Sequence, residues 1–126
     1  MIEVTDKPID ALEFQGRLSR EGAGSVVIHY GVVKGAVEGR STTGIHFSAS
    51  GDLEGELRRL EIGIRAKWKI EDFALMRRLG ELRVGDMILA VGVSAEGRVD
   101  AFGACRDAVE GCKKMKNISK KELFTE

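Results

Sequence analysis

Between Asp86 and Lys114 the chain reads DMILAVGVSAEGRVDAFGACRDAVEGCKK, and the period of its apolar positions changes once. From Met87 to Val93 apolar or small residues run without interruption. Met87, Leu89, Val91 and Val93 share one face and Ile88, Ala90 and Gly92 the other, which predicts a central strand covered on both sides. After a turn at Ser94-Ala95-Glu96-Gly97, the residues Ala101, Phe102, Cys105, Ala108, Val109 and Cys112 recur at helical spacing, with Arg98, Asp100, Arg106, Asp107, Glu110 and Lys113 on other faces. Arg98 thereby stands at a helix N-terminus, where unpaired N–H groups and the positive end of the dipole favour an anion.

Upstream, Met1 to Val4 predicts a short edge strand. Thr5 or Asp6 is placed to cap a helix with Pro8 in its first turn and Ile9, Leu12, Phe14 and Leu18 on its apolar side. The pattern breaks at Glu21-Gly22-Ala23-Gly24. Ser25 to Val33 is rich in β-branched residues and predicts a second strand, with Gly31 marking a bulge or a close backbone approach. Lys34 to Arg40, with two glycines and mixed charge, reads as a mobile loop and a candidate flap. Ser41 to Ser50 sets Ile45 and Phe47 against His46 and Ser48, which predicts a strand.

Asp52 caps the clearest helix, whose stripe is Leu53, Leu57, Leu60, Ile64 and Trp68, with Glu54, Glu56, Arg58, Arg59 and Arg65 solvated. Ile70 to Leu79 predicts a further strand, joined through residues 80–85 to the central one. Lys113 to Lys121 holds five lysines and no acid, and residues 122–126 read as a frayed tail. Strands alternating with helices make an α/β or α+β sandwich.

At 126 residues the chain fits one domain, 1–126, with a real core. Twenty basic against twenty acidic side chains give a formal charge of zero, so there is no global field for nucleic acid or an anionic membrane, and charge-driven function must be local. No run reaches a membrane span and the N-terminus lacks a signal-peptide pattern, so a cytoplasmic protein is expected. Cys105 and Cys112 lie on one helix with Cα atoms roughly 10 Å apart, too far for a disulfide. With only His29 and His46 besides, no metal site is expected, and the thiols read as small core hydrophobes.

Four stretches resemble one family: GAGSVVIHYGVVKG (22–35), LEGELRRLEIGIRAKW (53–68), RRLGELRVGDMILAVGVSAEGRVDAFGACRDAVEGCKK (77–114) and ISKKE (118–122). The third is the most specific, with its strand entry L-x-V-G-[DE], its V-S-A turn, its arginine, the A-F-x-A-C helix start and a helix-terminal lysine. From Gly22 onward the order resembles the catalytic large subunit of molybdopterin synthase. The resemblance implies an α+β fold, an α/β two-layer sandwich of mostly antiparallel strands with packed helices. It also implies a cytoplasmic homodimeric enzyme of molybdenum cofactor biosynthesis without a cofactor of its own. Its partner would be a small ubiquitin-like subunit with a C-terminal thiocarboxylate, the two forming a heterotetramer. Sulfur would pass from that subunit to cyclic pyranopterin monophosphate, forming molybdopterin.

On the same resemblance, Lys113 and Lys120 match the family's catalytic lysines and Arg98 the arginine at the helix start. Lys34 stands where an arginine is usual, which keeps the charge but loses the bidentate fork. Gly97 replaces a histidine, Ser119 a tryptophan, Asn117 a proline, and His46-Phe47-Ser48 a Glu-Tyr-Glu. Losing that histidine removes a side chain able to exchange a proton near neutral pH. Either the lysines suffice, or His46 or His29 takes part from another strand. Arg98, Lys34, Gly97 and His46 are thus the candidate substrate-binding positions. Read without the resemblance, Lys113 is a lysine favoured by the helix dipole, and the lysines after it a solvated basic tail without the interleaved aromatics of a nucleic-acid site. The competing function is a non-catalytic paralogue, a binding or regulatory module for the small subunit.

Overall fold

The apolar run at Met87 is strand β7 in the computed structural model, which describes residues 1–125. Its eleven elements are β1 (Ile2–Thr5), α1 (Ala11–Arg17), β2 (Ser25–Val32), β3 (Ala36–Val37), β4 (Arg40–Ala49), α2 (Leu53–Lys67), β5 (Asp72–Arg78), β6 (Gly80–Arg83), β7 (Met87–Ala95), α3 (Arg98–Lys113) and β8 (Ile118–Phe124). The first sheet has the order β1-β5-β7-β2, so β7 lies inside it, and only the β1–β5 pair is parallel. A second, antiparallel sheet has β4 at its centre, paired with β3, β6 and β8. This is an α+β fold.

Alternation along β7 and β5 supplies two cores. Phe73, Leu75, Leu89, Val91 and Val93 pack under α2 and α3, against Leu57, Ile64, Ala104, Cys105 and Ala108. Ala74, Met76 and Ala90 face α1 through Phe14 and Leu18. A third cluster, Val33, Ile45, Phe47 and Leu82, joins the two sheets. The bulge expected near Gly31 is a register shift between Gly31 and Val32 in the β2–β7 ladder.

Five expectations are corrected. Ser94 and Ala95 are not turn residues but the fully buried end of β7, where Ser94 Oγ donates to the Ser19 carbonyl. The first helix is capped by Asp10, whose carboxylate accepts from Glu13 N, rather than by Thr5 or Asp6; Pro8 precedes it and Leu12 is 81% exposed. Residues 34–40 are not simply a loop, because Ala36 and Val37 pair with Ser41 and Arg40. The hairpin turns at Glu38 and Gly39, both with positive φ, as tight hairpins require.

The 80–85 connection contains β6, which crosses to the second sheet after Gly80 at φ 95°. The expected frayed tail is instead largely β8, whose partner β4 absorbs its backbone donors and acceptors; Glu126 lies outside the described residues. A ladder partner remote in sequence overrides the local signal in these last two cases.

Helices α2 and α3 approach closely because α3 has glycine where α2 has bulk. A Cβ at position 103 would meet the Trp68 ring at 2.3 Å, and one at 111 would meet Leu60 at 2.5 Å. Trp68 is fixed there by its indole N–H, which donates to Asp107 at 2.9 Å. Gly103→Ala should therefore destabilise the protein by about 1–3 kcal/mol, the scale of overpacking. Gly63→Ala, in α2 with nothing within 4 Å of the added methyl, should stabilise it by up to ~1 kcal/mol. Urea denaturation of both variants checks the contrast; equal midpoints would sink the close-approach argument.

Candidate active site

The C-terminal end of α3, the end of β5 and the inner faces of β2, β4 and β8 enclose a cleft of about 660 Å³, a size suited to a small-molecule ligand. Its charged lining is Lys34, Arg77, Lys113, Lys120 and Glu122, with His29 at one side. Ile45, Phe47, Ile88, Val109 and Met115 supply the apolar wall.

Local structure explains how Lys113 and Lys120 come to line the same cleft. Lys113 is the last residue of α3, and the helix closes when Lys114 N–H donates to the carbonyls of Gly111 and Cys112. The chain then reverses through Lys116-Asn117 into β8, whose register sets Lys120 opposite Phe47 and Glu122 opposite Ile45. Directly opposed residues share a face, so Lys120 and Glu122 lie over the wall formed by Phe47 and Ile45. Lys120 Nζ is 3.8 Å from Glu122 Oε1.

The reversal is held from α2. Glu56 accepts hydrogen bonds from the backbone N–H groups of Lys116 at 2.8 Å and Asn117 at 2.9 Å, and from the Asn117 amide at 3.1 Å. Desolvation pushes the Glu56 pKa up, but these three bonds and the Arg59 charge outweigh it, so the carboxyl titrates below its ordinary value.

Of the expected site residues, Lys34, Lys113 and Lys120 line this cleft and Arg98, Gly97 and His46 do not. Gly97 is the N-cap and Arg98 the first residue of α3, about 22 Å from Lys113 at the helical rise, so Arg98 and Lys34 cannot hold one small anion within a single chain. His46 is exposed and alternates with the buried Ile45 and Phe47, which turns it away from the cleft. His29 is the histidine that lines it.

Arg77 is the lining residue that pattern reading missed, although a signal existed: it takes the position after Phe73 and Leu75 on the buried face of β5. Its guanidinium lies 4.3 Å from the Phe47 ring centroid. Cys112 also lines the cleft, but burial pushes its thiol, and that of Cys105, up to about 11, so neither is a ready nucleophile. Among the described residues no cluster of His, Cys, Asp and Glu could hold a metal ion, and no helix is long and apolar enough to cross a membrane.

Residues 4–115 match the profile of the MoaE protein family. The chain belongs to that family. Among its relatives, the molybdopterin synthase catalytic subunit of Thermoplasma volcanium is 28% identical over 98% of this chain and 90% of that protein. The one from Vibrio cholerae is 31% identical over 92% of this chain and 78% of its own length. The X-ray structure of molybdopterin synthase from Staphylococcus aureus superimposes with a TM-score of 0.90 at 27% identity, covering 98% of this chain and 91% of the other.

Because the Glu56 clamp depends on a carboxylate with a lowered pKa, its contribution is present above the ordinary carboxylate range and is lost as pH falls through the lowered value. In this MoaE chain the amides of Lys116 and Asn117 should lose hydrogen-exchange protection on acidification through that window. Glu56→Ala should remove the protection already at neutral pH. Equal protection in parent and variant at pH 7 would show that the turn holds itself.

Proposed function

We propose that this MoaE chain is the catalytic subunit of a cytoplasmic molybdopterin synthase, passing sulfur from the thiocarboxylate of a small ubiquitin-like subunit to cyclic pyranopterin monophosphate. The observation that carries this reading is the convergence of Lys34, Lys113 and Lys120 on one cleft, in a fold shared with a solved molybdopterin synthase. The chemistry suits the groups. Lysine ammonium stabilises the oxyanion that forms as the thiocarboxylate is consumed, and a neutral amine can take up a proton. Lys113 and Lys120 are exposed at the mouth of the cleft, where a protein tail arrives. His29 supplies the imidazole missing at Gly97, a position where an added Cβ would meet nothing within 4 Å.

Arg98 enters the same reading through a homodimer. Strand β2 is an edge of the first sheet, and Val26, Val32, Val99 and Phe102 around it and on α3 are 41%, 51%, 74% and 61% exposed. An unpaired edge flanked by apolar side chains is suited to a second copy of the chain. Docking there would carry Arg98 toward the mouth of the partner's cleft, where it can meet an arriving anion, the carrier's tail carboxylate or the substrate's phosphate on its way in.

Lys113→Ala and Lys120→Ala should each cut sulfur transfer by about a hundredfold or more, the scale of a lost general acid or base, with fold and dimer intact; Lys120→Arg should not rescue. Transfer at the parental rate in both alanine variants removes the lysines from the chemistry. A parent that binds the thiocarboxylated subunit and transfers nothing is a binding module instead. Mixed dimers of Arg98→Ala and Lys113→Ala protomers should regain one complete cleft of two. No recovery on mixing means that Arg98 does not act across the dimer.

A further inference from the structure

Arg77 is a buried cation without an anion. Its residue is 8% exposed, its Nε is shut off from solvent with no hydrogen-bond partner, and none of the ion pairs among the described residues includes it. Its neighbour Arg78, whose Nε is likewise without a partner, points to the other face and differs in having an anion, Asp86, at 3.4 Å. The acid of the cleft, Glu122, pairs with Lys120 and not with Arg77.

A lysine in this position could shed its proton; arginine cannot, so the charge stays. Burial lowers its pKa from the ordinary guanidinium value, with a small opposing effect of Cys112. Stacking on Phe47 at 4.3 Å offsets part of the desolvation, but leaves Nε without a hydrogen-bond partner. A desolvated cation with free donors costs stability unless an anion completes it.

We propose that Arg77 is the inner seat of the cleft for an oxyanion, the phosphate of the pterin substrate, gripped by the arginine fork while Lys113 and Lys120 work at the mouth. The proposal rests on the pterin reading given above. Depth decides between the two anions that enter. A carrier tail must lead back out to its own domain, so its end meets the exposed lysines first, whereas a small molecule can be enclosed whole. The apolar wall of Ile88, Val109 and Met115 fits the fused rings, and Arg77 the phosphate attached to them. Arginine rather than lysine suits such a seat because its planar donors match two phosphate oxygens at once.

The test uses the full-length protein and two variants, Arg77→Met and Arg77→Lys. Three readouts are needed: the thermal midpoint with and without inorganic pyrophosphate, calorimetric affinity for cyclic pyranopterin monophosphate, and affinity for the carboxylate form of the small subunit. Arg77→Met should keep or raise the ligand-free midpoint, as replacing an unpaired buried charge by an apolar side chain allows. It should lose the pyrophosphate-induced shift, and weaken pterin binding about ten- to a hundredfold, the usual scale for a hydrogen bond to a charged group. Arg77→Lys should recover only part of that loss, and carrier affinity should stay parental.

A lowered midpoint with parental pterin affinity makes Arg77 a packing strut on Phe47 and overturns the proposal while the synthase reading stands. Loss of carrier affinity instead of pterin affinity overturns the phosphate assignment. A parent that ignores the pterin yet shows an Arg77-dependent pyrophosphate shift keeps the oxyanion seat and removes the synthase reading. A parent shifted by neither ligand overturns the seat itself.

Discussion

Strand β7 has no solvent face, and a strand buried on both sides must be covered by two layers that have nothing else in common. Leu89, Val91 and Val93 draw α2 and α3 to one side, while Ala90 and Gly92 face the short α1. A Cβ at position 92 would press on Phe14 and Leu18 at 3.2 Å, so the small residues on that side admit a helix whose main anchors are those two bulky side chains. The same strand fixes the start of α3, because β7 ends at Ala95 and α3 begins at Arg98. Where α3 ends, and hence where Lys113 stands, follows from where β7 lies and from how closely Gly103 and Gly111 let α3 settle on α2.

This ordering explains which parts of the fold were legible. The runs around β7, α2 and α3 carry their period in their own residues, since each buries a continuous face. Strands β6 and β8 do not: each owes its form to β4, and Ser119, Lys120 and Lys121 in β8 are exposed in a way no local pattern separates from a tail. The Asp10 cap was missed because Thr5 and Asp6 offer the same chemistry a few residues earlier, and only the pairing of β1 with β5 takes Thr5 out of contention.

The site divides along the same line. Lys113 and Lys120 were legible as a pair through resemblance, not through spacing; what brings them together is a clamp from Glu56, sixty residues from Lys116 in sequence. The alternation that set His46 opposite Ile45 and Phe47 was legible in the sequence, but it did not say which face of the strand borders a cleft, so His46 and His29 both stayed candidates. The position of the cleft separates them, since His46 lies opposite in phase to Ile45 and Phe47, which line it, while His29 falls on a cleft wall. Arg98 is the opposite case: it stands at the start of α3 as the helical spacing predicts, but its distance from Lys113 is a property of the whole helix and not of either residue's identity.

A formal charge of zero hides how unevenly charge is laid out. Lys34, Arg77, Lys113 and Lys120 surround one cleft whose only acid among the described residues is Glu122, so like charges face one another across a partly apolar space. Exposed lysines tolerate this, because water screens them. Arg77 is not screened in that way, and its cost falls on the empty protein. An arriving anion relieves that cost together with the mutual repulsion of the lysines. On the oxyanion seat proposed above, an anion in the cleft gains from the unpaired charge that it neutralises as well as from the contacts that it makes. Lys120 and Glu122 sit on β8, which is tied down by β4 and by the Glu56 clamp, so rigidity of that strand converts the charge imbalance into a fixed geometry. Without it, the lysines could separate and the selectivity for an anion would relax with them.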